Sequence, residues 1–186
     1  MKSAKVLLAG IGLVTLLISS GCVSRIIKEG VGTATGAKGG YQELDNPGRL
    51  AGRNFQLGKF EDVNKRIIPG ELLRELPAAM ARQMAEDNIP ATGAADETVV
   101  INGRIIYYEK AGASGQLFGP LEEVVAEVTL VDKASGRILG QAMCVGRSQE
   151  SVNQGVKEKA QGLAKGICSW IVKAADIQKK KEKEKS

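Results

Sequence analysis

Apolar and polar positions alternate along three stretches of the chain and recur every three or four residues along two others. From Thr98 to Glu109 the sequence reads TVVINGRIIYYE, with Val99, Ile101, Ile105 and Tyr107 on one parity and Asn102 and Arg104 on the other. Successive strand side chains point to opposite faces, so this pattern predicts a strand with one face buried. Glu123 to Val131 sets Val124, Ala126, Val128 and Leu130 against Glu127 and Thr129, and leads through Asp132-Lys133-Ala134-Ser135-Gly136 to a third run over 137–147. Asp at the start and Gly at the end of so short a link is hairpin chemistry, the glycine supplying a positive φ. A weaker run from Arg53 to Asp62 carries Phe55, Leu57 and Phe60 and predicts one more strand.

The period then lengthens. Between Ile67 and Asn88, Leu72, Leu76, Met80 and Met84 stand four apart with Leu73 beside them, one apolar stripe on a helix. Pro77 interrupts it, which predicts either a short opening turn over Pro69 to Leu76 with the main helix from Pro77, or one kinked helix. Asn88-Ile89-Pro90 ends it. A last helix runs from Ser148, an N-cap residue type, to about Ile177. At 100° per residue its Val152, Val156, Ala160, Leu163, Ile167, Trp170, Ile171 and Ala174 fall within about 120° of arc, so one side packs on a sheet. The order β-α-β-β-β-α predicts an α+β two-layer sandwich: about four strands, mostly antiparallel, with two helices on one face.

The amino terminus has a different character. Lys2 and Lys5 precede an uncharged run from Val6 to Ile18, and Ser19-Ser20-Gly21 leads to Cys22. This is the order of a secretory signal, and at 1.5 Å per residue the run spans about 20 Å, short of the ~30 Å hydrocarbon core. Ser20 and Gly21 directly before Cys22 resemble a bacterial lipobox, although Ser19 stands where that family most often has Leu. The resemblance implies that residues 1–21 are a signal peptide and that Cys22 is acylated as the mature first residue. Val23, rather than Asp, implies by the same resemblance an outer-membrane destination facing the periplasm. Residues 22–50 read as a lipidated, glycine-rich tether. Its Gly30-Val31-Gly32 departs from the dinucleotide fingerprint at Thr35, and Lys38 is followed by Gly39 where a phosphate loop needs Ser or Thr. Residues 51–178 form the domain and 179–186 a Lys/Glu-rich tail.

Charge and composition narrow the chemistry. The sequence has 26 Lys and Arg against 21 Asp and Glu, but the two ends hold seven of the cations and two of the acids, leaving residues 6–178 neutral. A neutral domain lacks the basic face that nucleic acid requires. With no His, the Ser-His-Asp and Cys-His nucleophiles and every His-containing metal site are excluded.

The segments VVINGRIIYYE and VAEVTLVDKASGRILGQA, with the closing amphipathic helix, resemble an uncharacterised family of bacterial envelope lipoproteins and, more distantly, the small α+β domains of the TolB amino-terminal region and the curli-secretion lipoprotein CsgG. That resemblance implies the fold and supplies no catalytic residue, cofactor or metal ligand. Cys144 and Cys168 could form a disulfide from the last strand to the final helix, or serve as two small buried hydrophobes. Glu122-Glu123 and Glu61-Asp62 read as solvated charge, and Tyr107, Tyr108 and Trp170 as core and sheet-face residues. In the loop 110–121, Leu117 and Phe118 either fold back on the core or present a partner-binding tip. Three functions remain open: a non-enzymatic module anchored to the membrane by its lipid and binding an envelope protein, a ligand-binding or enzymatic domain using Tyr107, Arg104 or a carboxylate between sheet and helices, and a homo-oligomeric component of an envelope complex.

Overall fold

The computed structural model describes residues 28–29, 37–63, 68–91, 94, 97–109, 123–148 and 155–177. The elements are β1 (Lys28–Glu29), β2 (Lys38–Asp45), β3 (Asn54–Asp62), α1 (Gly70–Glu86), β4 (Thr98–Tyr108), β5 (Glu123–Asp132), β6 (Ile138–Arg147) and α2 (Gly155–Ala174). The strands form one sheet in the order β1-β2-β6-β5-β4-β3. β3 and β4, joined through α1, run parallel, and the other neighbours are antiparallel. The α+β sandwich is as the periodicity predicts from Asn54 onward, but the sheet has six strands rather than about four.

The additional strands come from the stretch read as tether. β2 lies inside the sheet, Lys38 opposite Arg147 and Tyr41 opposite Cys144, and β1 pairs on its other side. Residues 46–53 then return to the core, where Leu50 is buried and its N–H donates to the Ala174 carbonyl at 3.0 Å.

Glycine explains both the placement of β2 and why its pattern hid it. A Cβ on Gly39 would sit inside the backbone of Gly162 and Gly166, and one on Gly162 inside the Lys38 carbonyl. On β6, a Cβ at Gly146 would strike Lys159 and Leu163 backbone. The helix α2 thus lies backbone to backbone on β2 and β6. Such an approach needs glycine on both partners, and glycine gives no apolar alternation to read.

α1 packs by side chains instead, burying Leu72, Leu76, Ala79, Met80 and Met84. It is one helix running through Pro77, which is exposed and has no N–H to give the Leu73 carbonyl. Both helices stop in the same way. Asn88 (φ 56°) and Asp176 (φ 53°) adopt the left-handed conformation, and the N–H groups of Ile89 and Ile177 reach back to the carbonyls of Met84 and Val172 at 2.9 and 3.0 Å. The core between the layers joins these helices, Trp170 of α2 among them, to Phe55, Val99, Ile101, Ile105, Val124, Ala126, Val128, Leu130 and Ala142 of the sheet. Among the described residues, no helix is long and apolar enough to cross a membrane.

Candidate functional site

The polar side chains singled out by sequence are held apart. In β4 a bulge between Ile105 and Tyr107 shifts the parity, so Tyr107 opposes Val125 and Tyr108 opposes Val124. Tyr107 therefore stands 47% exposed on the face away from the helices, while Tyr108 is buried. The expectation that Tyr107 shares the face of Ile101 and Ile105 is corrected: one extra residue turns it over. Partial burial, with Glu109 and Glu123 nearby, pushes its phenol up. Arg104 lies on that outer face too, opposite Glu127 in register and donating to it at 3.1 Å. Neither residue points between sheet and helices.

The carboxylates have structural partners. Glu123 accepts from Arg147 at 2.9 Å, Glu61 pairs with Lys59, and Asp62 accepts the Ile68 N–H at 3.4 Å. Glu122 lies outside the described residues. The D-x-x-S-G link is a built turn: Asp132 accepts from the Ser135 hydroxyl at 2.9 Å and the Ala134 N–H at 3.3 Å, and Gly136 has φ 71°. Asp132 also receives Arg53 from the start of β3 at 3.0 Å. The Ser135 hydroxyl first, then the Ala134 N–H and Arg53, hold its carboxyl below the usual carboxylate range.

Cys144 and Cys168 are buried, free thiols on β6 and α2. Burial, and then Cys168, raises Cys144 far above the usual thiol range. Both thiols belong to the core between sheet and helices. Cys22, Leu117 and Phe118 lie outside the described residues.

Two polar arrangements escape the sequence pattern. Lys159 is 1% exposed, and its ammonium donates to the Glu109 carbonyl at 2.5 Å and sits 4.2 Å from the Tyr108 ring centroid. A buried ammonium requires such partners, and this one ties α2 to the end of β4. Lys159 sits on the same turn as Ala160 and Leu163, and that position is the signal that could have found it. Further along α2, the fully buried Trp170 donates its indole N–H to Glu43 at 3.2 Å, with Lys173 4.0 Å from the same carboxylate. Burial pushes Tyr41 beside them up, against the pull of Lys173. Among the described residues, no three His, Cys, Asp or Glu side chains are grouped to hold a metal.

No protein-family model matches the sequence, and no curated protein matches it. Solved structures are similar in fold. A PelC dodecamer from Paraburkholderia phytofirmans is 15% identical, with a TM-score of 0.50 over 72% of this chain and 96% of that one. The lipoprotein GNA1162 from Neisseria meningitidis is 13% identical, with a TM-score of 0.39 over 65% and 96%. A minor lipoprotein from Acinetobacter baumannii is 15% identical, with a TM-score of 0.35 over 65% and 93%. The likeness to PelC is one of fold.

Proposed function

We propose that this chain is a lipid-anchored protein of the bacterial envelope, attached to the outer membrane through Cys22 and facing the periplasm, whose α+β domain binds another protein and performs no catalysis. The observation that carries the reading is the signal of residues 1–21 set directly before Cys22 and followed within a few residues by the sheet. A lipobox cysteine receives more than one acyl chain, which stable anchoring requires. The domain's side chains support the binding half: Arg104 with Glu127 and Arg147 with Glu123 are engaged in pairs between neighbouring strands, and Arg53 reaches past β4 to Asp132 at the end of β5. In the glycine-rich sequence 110–121, Leu117 and Phe118 are apolar residues that suit a protein partner.

Labelled palmitate enters the wild type and not Cys22→Ala; equal labelling of both defeats the anchor. Crosslinking in the intact envelope then recovers a protein partner, and recovery of a small ligand in its place defeats the binding reading.

A second reading, self-assembly, draws on the fold shared with a protein solved as a dodecamer. β3 pairs only with β4 among the described residues, which leaves it a strand edge for a second copy. The native mass of the detergent-solubilised protein distinguishes a monomer from a ring.

A further inference from the structure

We infer that the domain rests on the bilayer with one defined end of its sheet, the end where β2 and β5 finish and β3, β4 and β6 begin. The inference rests on the lipid anchor at Cys22 and adds an orientation to it.

The first observation is the length and direction of the link. Lys28 pairs antiparallel with Tyr41 and Glu29 with Gly40, so the backbone entering β1 comes from the direction in which β2 runs, towards Asp45. Only residues 23–27 separate Cys22 from Lys28, and six extended steps reach about 20 Å. From the level of Tyr41 to that of Asp45 takes four of those steps, about 13 Å. An acylated Cys22 on so short a leash holds the domain against the headgroups, and the end of the sheet nearest to it carries Asp45.

The surface there is the second observation. Leu44 and Ile138, on neighbouring strands β2 and β6, are 52% and 54% exposed and both stand at this end. The third is the other chain terminus. α2 finishes at the same end, fixed by the Leu50 N–H on the Ala174 carbonyl, and beyond Ile177 follow nine residues with five Lys and two Glu. Exposed Lys133 and Arg137 of the β5–β6 turn add to them. Cations beside two apolar side chains suit a surface of anionic headgroups over acyl chains. Tyr107 and Val63 are exposed at the opposite end of the sheet, away from the end of α2.

The test uses the full-length acylated protein in vesicles of phosphatidylethanolamine and phosphatidylglycerol containing a headgroup-nitroxide lipid. A fluorophore is attached at Ile138→Cys, at Leu44→Cys or, as the far-end reference, at Tyr107→Cys. Cys144 and Cys168 are buried and do not compete. Probes at positions 138 and 44 are quenched several-fold more than the probe at 107; the second near-end site serves should one variant fail to fold. Equal quenching at both ends, or deeper quenching at 107, overturns the orientation even where flotation and palmitate labelling show the anchor intact. Loss of labelling in the wild type removes the anchor and the orientation together. A Gly-Ser insertion that doubles the link is expected to erase the difference while flotation persists, and an undiminished difference overturns the role of the short leash.

Discussion

α1 and α2 cover the same face of one sheet by opposite means. α1 meets it through Leu72, Leu76, Met80 and Met84, long flexible side chains that fill space. α2 meets it through Gly162 and Gly166 set on Gly39, Gly40 and Gly146, where main chains touch and no rotamer can adjust. The difference is one of tolerance. A side-chain interface absorbs a changed shape by repacking, whereas a backbone interface admits only the residue without a side chain.

Substitutions on either side sharpen that contrast. Gly166→Val places atoms inside the Gly40 and Val145 backbones. It is expected to cost about 4 kcal/mol or more, because neither main chain can yield, and denaturant unfolding followed by circular dichroism reads the loss. Met80→Ala, in the α1 interface, leaves a cavity and costs about 3 kcal/mol by the same measurement. Met84→Leu keeps volume in a tolerant setting and costs less than about 1.5 kcal/mol; a loss equal to that of Gly166→Val would erase the distinction between the two helices.

The smallest effect belongs to the turn at Asp132. Its carboxyl titrates lower in the folded chain than in the unfolded one, so its stabilisation is present above the unfolded carboxylate value of about 4 and fades as pH falls through the lower folded value. The melting temperatures of wild type and Asp132→Asn should differ at neutral pH and converge in acid. A gap that widens in acid contradicts the assignment.

How much of this was legible depends on what each contact is made of. β4, β5, β6 and both helices are built from side-chain alternation and periodicity, and those patterns locate the three strands and α1 within a few residues, while α2, read from Ser148, is described from Gly155. β2 is built from absent side chains, so Lys38-Gly39-Gly40 looks like spacer until α2 is set upon it. Tyr107 was misplaced by a bulge, which period counting steps over unaware. Lys159 was passed over because charge suggests solvent; its carbonyl and aromatic partners come from a strand far away in sequence. The D-x-x-S-G link was legible as a turn, but the role of Asp132 in holding Arg53 needed the third dimension.

The placement of β2 also sets an order of events. Lys38 pairs with Arg147, and Gly39 lies under Gly162 and Gly166, so, apart from the two-residue β1, the first full strand of the chain meets the last strand and the last helix. A chain made from its amino terminus carries β2 unsatisfied until α2 is complete, and closing so long a loop is slow. The segment synthesised early is secured late, and a chain truncated before Gly162 has a sheet with no lid over its first strand. Completion of the carboxyl-terminal helix is therefore the step that commits the whole domain to its folded state.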